Sequence, residues 1–159
     1  MEEEAVRRFE AAWDAHGAAV YRLAMVYLGR AADAEDVTQE VFCRLLDRAP
    51  DFAGGEYEKR WLLRVTANLC RDQLKGAWRQ KTAALETDLP ARTPEDRGVW
   101  EAVLALPETY RAPIHLHYYE GFSVSEVAAL LRLTPSAVKM RLKRGREMLK
   151  LELGEEAHI

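Results

Sequence analysis

The sequence predicts an all-α protein of two small helical domains joined by a flexible linker, and three observations carry that prediction. Apolar residues recur at helical spacing over roughly 5–29, 33–48 and 57–79, and no alternating strand pattern occurs anywhere. The periodicity lapses across 82–93, TAALETDLPART, where Pro90 and small polar residues enter. The composition, 48% hydrophobic and 31% charged with nine glycines and six prolines in 159 residues, suits helices more than sheet. The expected boundaries are 1–81 for the first domain, 82–93 for the linker and 94–153 for the second domain. No appended domain is expected in the short tail at 154–159.

The opening MEEEAVRRFE is acidic and lacks an apolar core, and no later run approaches the roughly 20 apolar residues that span a bilayer. A cytoplasmic location is expected. Cys43 and Cys70 stand alone inside helical patterns, which favours reduced thiols over a disulfide or a CxxC metal site.

Charge is segregated along the chain. Residues 1–56 hold 12 acids and 6 bases, 57–81 hold 2 and 7, 82–136 hold 8 and 4, and 137–150 hold 1 and 6. Two basic blocks therefore sit in an acidic frame whose formal net charge is −3. Attraction to nucleic acid follows the local field, so the blocks matter more than the total.

Read as a helix, the segment at 33–48 turns Ala34, Val37, Val41 and Leu45 to one side. Asp33, Asp36, Gln39, Glu40 and Asp47 gather opposite. Such a face is either solvated, with Asp33 and Asp36 at the positive end of the helix dipole, or docks a basic partner beside an apolar edge at Phe42.

The helix at 57–79 has the opposite polarity. Arg60, Arg64, Asn68, Arg71, Lys75 and Arg79 share one face, while Leu62, Val65 and Leu69 turn inward. Tyr57, Trp61 and Trp78 are interleaved with these charges, a composition suited to single-stranded nucleic acid, with Trp61 near the apolar arc and so read as core. Asn68 offers the donor and acceptor that reading a base edge requires. Gly54 and Gly55 in the preceding loop either let backbone approach a ligand or form a plain turn. Gly76 costs up to about 1 kcal/mol in a helix and marks a bend or an end.

The second domain starts at Thr93-Pro94-Glu95-Asp96, a cap followed by proline and acids, and runs through Trp100, Val103, Leu104 and Leu106. Leu106-Pro107-Glu108 interrupts it, a further helix reaches Glu120, and Gly121 ends that one. Residues 123–150, SVSEVAALLRLTPSAVKMRLKRGREMLK, then read as a helix-turn-helix. Ser123 and Glu126 form a capping box, and Val124, Val127, Ala128 and Leu131 make the apolar face of its first helix. Thr134 is an N-cap with Pro135 at the first helical position. In the second helix Val138, Leu142, Gly145 and Leu149 face inward. Ser136, Lys139, Met140, Lys143, Arg146 and Lys150 face outward with Arg144 at the edge, where Lys and Arg can reach guanine edges or phosphates in a major groove.

Enzymatic readings find little to stand on. His115 and His117 are two apart and point to different helix sides, whereas a zinc-binding pair is usually four apart. His16 and His158 have no partner in sequence, and there is no phosphate-binding glycine loop or nucleophile motif. No metal, cofactor or small-molecule substrate is expected.

DAEDVTQEVF at 33–42, WLLRVTANLCRD at 61–72 and LPETYRAPIHLHYYEGFSVSEVAALLRLTPSAVKMRLKRGREML at 106–149 resemble, in that order, the signatures of the extracytoplasmic-function (ECF) sigma factors of the sigma-70 superfamily. The resemblance covers roughly 14–152. It implies a sigma-2-like helical bundle and a sigma-4-like helix-turn-helix domain in a protein that binds core RNA polymerase, at its beta-prime clamp and beta flap, and directs it to promoter DNA. It would place Asp33, Asp36, Gln39, Glu40 and Phe42 at the clamp. The −10 element would meet Asn68, Arg71, Asp72 and Lys75, with Arg60 and Arg64 on the same basic face. The −35 element would meet Lys139, Met140, Lys143 and Arg144, with Ser136 on that side and Arg146 and Lys150 nearer phosphates. It also implies an anti-sigma factor, often membrane-anchored, which would hold the protein at the inner membrane face. The alternative from the residues alone is a stand-alone helix-turn-helix regulator that binds operator DNA without polymerase.

Two positions depart from the family pattern. Arg132 stands where the turn usually has glycine, which calls for an altered turn or a small left-handed penalty. Met140 replaces a common small polar residue and suits apolar contact with a thymine methyl.

Overall fold

A computed structural model of the chain describes residues 2–48, 52, 54–77 and 94–153. Among them every regular element is helical. Helices α1 (Glu2–Leu28), α2 (Ala31–Arg48) and α3 (Gly55–Ala77) form an N-terminal bundle. Helices α4 (Pro94–Ala105), α5 (Glu108–Ile114), α6 (Val124–Leu131) and α7 (Pro135–Leu153) form a C-terminal unit, with one π turn, His115–Tyr119, following α5. The expected linker, Trp78, Arg79, the Thr93 cap and the tail all lie outside the described residues.

The N-terminal core follows from the helical repeats. Ala34, Val37, Val41 and Leu45 of α2 are all buried, against Val20, Leu23 and Ala24 of α1 and Leu62, Leu63 and Ala67 of α3. Burying three amphipathic faces against one another is what holds such short helices in place, since propensity alone leaves them marginal. Thr38 and Thr66 are buried too, each hydroxyl donating to a carbonyl one turn back, Ala34 and Leu62 respectively, at 2.7 Å. Trp61 packs against the core and edge-on to Phe52, as its place near the apolar arc foretold. Gly55 opens α3, and α3 runs through Gly76 to Ala77.

In the C-terminal unit the caps fall where the sequence sets them. The Ser123 hydroxyl accepts from the Glu126 N–H at 3.1 Å and the Glu126 carboxylate accepts from the Ser123 N–H at 2.9 Å. The Thr134 hydroxyl accepts from the Ala137 N–H at 3.1 Å. Between them Arg132 takes the left-handed conformation, φ 58° and ψ 45°, so the turn keeps its glycine-like shape and the side chain bears the penalty. A Cβ on Gly145 would stand 2.8 Å from Ile114 Cγ1, so α7 lies against α5 more closely than any side chain at that position allows.

The helix expected to reach Glu120 does so, but its last turn is wider. The Glu120 N–H donates to the His115 carbonyl, five residues back, and Gly121 closes the turn at φ 82°. Five residues of π turn leave no separate mark on a helical repeat, so periodicity alone could not reveal it.

The two units are packed together. Helix α1 lies against α5 and the π turn, and α3 lies against α6. The expectation of two domains joined by a flexible linker left their arrangement open and did not include this seam.

Candidate nucleic-acid interface

The acidic face of α2 is open. Asp36, Gln39 and Glu40 are exposed, Asp33 is half-buried, and Glu40 meets Arg44 at 3.2 Å, a surface pair of small energetic weight. Phe42 departs from expectation. It is 1% exposed, its ring edge-on to Trp13 at 4.8 Å and to Phe9 at 5.9 Å. The apolar edge beside the acids belongs to Trp13, 42% exposed, on a groove between α1 and α2 lined by Phe9, Trp13, Gln39, Phe42 and Cys43. Trp13 lies outside the acidic segment, and only the packing of α1 on α2 brings it there.

The basic face of α3 is divided. Arg64, Asp72 and Lys75 are exposed, whereas Arg60, Asn68 and Arg71 are half-buried against the C-terminal unit. Arg71 donates to Asn68 Oδ1 at 2.6 Å and to the Leu131 carbonyl at 2.8 Å. Leu131 is the last residue of α6, so the guanidinium caps a carbonyl without an intrahelical partner at the negative end of that helix. Arg60 reaches Glu126, at the other end of α6, at 3.8 Å and stacks over the Tyr57 ring. The pair most suited to reading a base edge is thus occupied within the chain.

The outer face of α7 is open from Ser136 to Arg144. Ser136, Lys139, Met140, Lys143 and Arg144 are all exposed, Met140 to 56%. Val138, Leu142, Gly145 and Leu149 are buried beneath them, as the helical repeat requires. Arg146 is held by a hydrogen bond from its Nη1 to the Tyr118 hydroxyl at 2.6 Å, which sets its side chain back toward the π turn.

Between the units sits a charged cluster that the sequence did not reveal. The Glu120 carboxylate, only 4% exposed, accepts two bonds from Arg22 of α1, Nε at 3.0 Å and Nη2 at 3.1 Å. Lys59 of α3 lies 3.9 Å from its other side, and His115 Nε2 is 3.0 Å away. Burial would raise the Glu120 carboxyl, but the hydrogen bonds from His115 and Arg22 outweigh it and hold the group down at about 2. Burial pushes His115 below the usual imidazole value despite the carboxylate beside it. His115 is therefore neutral and donates its Nε2–H to an ionised Glu120. This histidine is buried, between Trp100 and Tyr119.

Both cysteines are free, Cys43 exposed and Cys70 buried, with burial pushing the Cys70 thiol up to about 12. No cluster of His, Cys, Asp or Glu among the described residues could hold a metal ion. No helix among them is long and apolar enough to cross a membrane.

Comparison with known proteins agrees with this layout. Residues 12–80 match the family described as Sigma-70 region 2, and residues 97–149 match Sigma-70 region 4. The chain is 34% identical to the ECF RNA polymerase sigma factor SigE of Mycolicibacterium smegmatis, with 85% of this chain aligned to 57% of that protein. It thus spans little more than half of SigE. Identity to SigL of Mycobacterium tuberculosis, another ECF RNA polymerase sigma factor, is 31%, with 91% of this chain and 88% of SigL aligned. The fold is shared with the sigma factor RpoE of Bartonella quintana, solved in complex with the anti-sigma factor NepR, at TM-score 0.81, 19% identity and 95% and 99% coverage. CnrH, solved with the cytosolic domain of CnrY, follows at TM-score 0.67, 27% identity and 95% and 90% coverage. With both sigma-70 regions in order on helices that present an acidic face and two basic faces, the chain belongs to the sigma-70 family, among its ECF sigma factors.

Proposed function

We propose that this sigma factor binds core RNA polymerase and directs it to promoters through two units, residues 1–81 and 94–153. The observation that carries the reading is the coexistence of an exposed recognition helix with a second basic helix that holds Asn68, in a chain matching regions 2 and 4. Asp33, Asp36, Gln39 and Glu40 meet the polymerase clamp, with Trp13 supplying the apolar edge over the buried Phe42. Lys139, Met140, Lys143 and Arg144 read the −35 duplex, with Ser136 on the same side and Arg146 and Lys150 nearer phosphates. Arg60, Arg64, Asn68, Arg71, Asp72 and Lys75 engage the −10 strand as it melts. Capturing an unstacked base there offsets part of the few kcal/mol that unstacking costs. An anti-sigma factor that covers these faces is the proposed regulator, in keeping with the complex in which RpoE was solved.

In vitro transcription with purified core polymerase and genomic DNA fragments tests the reading. Discrete start sites are expected with the wild-type chain and not with Asp36→Arg/Glu40→Arg. Site-specific duplex binding by the chain alone, without stimulation of core enzyme, would replace the reading with a stand-alone regulator.

A further inference from the structure

One side chain on the outer face of α7 is neither a cation nor a strong hydrogen-bonding group. Met140 is 56% exposed, and among the described side chains of α7 it is the one large apolar group left in solvent. Such a group gains by leaving water, and the fold leaves more than half of it there.

The apolar floor of the helix sets its direction. At about 100° per residue, the buried Val138, Leu142, Gly145 and Leu149 all point within about 40° of the direction opposite to Met140. Met140 therefore stands at the pole of the face turned away from the rest of the C-terminal unit. Ser136 and Arg144, one turn before and one turn after it, lie about 40° to either side, Lys143 about 60° away and Lys139 about 100°. Met140 also falls within the first two turns of α7, the part of a recognition helix that meets base edges. Glu147, the acid on that face, stands about 10 Å further along the axis. A helix entering a major groove puts its pole deepest, against the bases, and its flanks toward the phosphates.

What meets the pole follows from what base pairs display there. Acceptors and amine donors line the major groove, and the apolar group among them is the C5-methyl of thymine. Lysine and arginine only donate, so Lys139, Lys143 and Arg144 favour guanine O6 and N7 or thymine O4 and gain nothing from the methyl. A thioether donates nothing and accepts weakly, so a flexible, polarizable methionine at the pole gains chiefly by covering an apolar group. The same methyl occurs on 5-methylcytosine. A protein partner would need further apolar side chains around Met140, whereas its neighbours on this face are a serine and three cations.

We propose that Met140 makes α7 a reader of the pyrimidine C5-methyl group: at one position of the bound duplex the chain separates thymine from uracil, and 5-methylcytosine from cytosine, by that methyl. Methylation of a cytosine at this position then strengthens binding. The inference deepens the −35 reading above and rests on it.

Duplexes with a random core of about 10 base pairs, one helical turn, are selected by the full-length chain with core polymerase and by the chain alone. In the best duplex each thymine is replaced in turn by deoxyuridine, which removes the methyl and nothing else, and affinity is read by fluorescence anisotropy. Replacement at one position should weaken binding by the parent about fourfold, the worth of burying one such group. At that position 5-methylcytosine should bind better than cytosine by a similar factor. Met140→Ser, a change at an exposed site, should abolish both preferences, whereas Lys143→Ala should weaken every duplex and keep them.

A selected element without thymine, affinity indifferent to every thymine methyl, a methyl preference that survives Met140→Ser, or 5-methylcytosine no better than cytosine overturns the proposal. If neither form of the protein selects any sequence, the −35 reading fails and takes the inference with it. A selected sequence whose binding ignores the methyl removes the inference alone and leaves that reading standing.

Discussion

Helices α3 and α7 each carry a stripe of lysine and arginine over an apolar floor, yet one is engaged inside the molecule and the other faces solvent. Arg71 and Asn68 of α3 are bonded to each other and, through Arg71, to the end of α6. Lys139, Lys143 and Arg144 of α7 stand clear. The difference teaches that a basic face is not the same thing as an available one. The outer face of α7 is open as the units stand, while Asn68 and Arg71 are held at the contact between them.

The largest expected effects test whether the two floors are separate. Leu62 under α3 and Leu142 under α7 are both buried, so Leu62→Ala and Leu142→Ala should each cost about 2–5 kcal/mol in urea denaturation. Native-state hydrogen exchange should show Leu62→Ala loosening α1–α3 and Leu142→Ala loosening α5–α7. If each change spreads evenly over both units, the chain is one cooperative body and the contrast dissolves.

A smaller effect sharpens the contrast. Arg71→Ala removes a charged donor from a partly buried carbonyl and should weaken the seam by about 1–2 kcal/mol, the lower end of the range because the group is half-exposed. It reads out as reduced energy transfer between a dye on the exposed Cys43 and one on an introduced Lys150→Cys. Lys143→Ala should leave the seam unchanged and stability within about 0.5 kcal/mol, while lowering the salt slope of duplex binding by about one. Equal loss of transfer in both variants would contradict the division between covered and open faces.

The smallest effect concerns the turn that aims α7. Arg132→Gly should relieve the left-handed penalty and raise stability by up to about 1 kcal/mol, seen as a higher Tm with duplex affinity unchanged. A lower Tm would show that the Arg132 side chain contributes contacts that outweigh its backbone strain.

The range of each interaction decides which parts were legible in the sequence. Helices α1–α3 were readable because their apolar residues repeat at helical spacing, and the helix-turn-helix because Ser123, Glu126 and Thr134 act within three residues of themselves. The inward residues of α7 were readable for the same reason. The contacts that join the units were not: Arg22 and Glu120 are 98 residues apart, Arg71 and Leu131 60 apart, and no short-range pattern encodes such a pairing. Phe42 was misjudged because its neighbours Phe9 and Trp13 come from another helix. Gly145 was placed on the inner face of α7, but its near contact with Ile114 depends on how two helices cross, which composition does not specify.

The wide turn at His115–Tyr119 makes this molecule sensitive to arithmetic as well as to chemistry. Along an ordinary α-helix, residues five apart differ by about 140° in direction, so a histidine and a glutamate at that spacing would not meet. Here the extra residue in the turn brings His115 and Glu120 onto one face. Dropping any one residue from 116–119 would leave every charge of the cluster in the chain and still rotate the downstream residues by about 100°. The carboxylate would then swing off both cations, and the length of one helical turn, counted in single residues, would decide whether the two halves of the protein recognise each other.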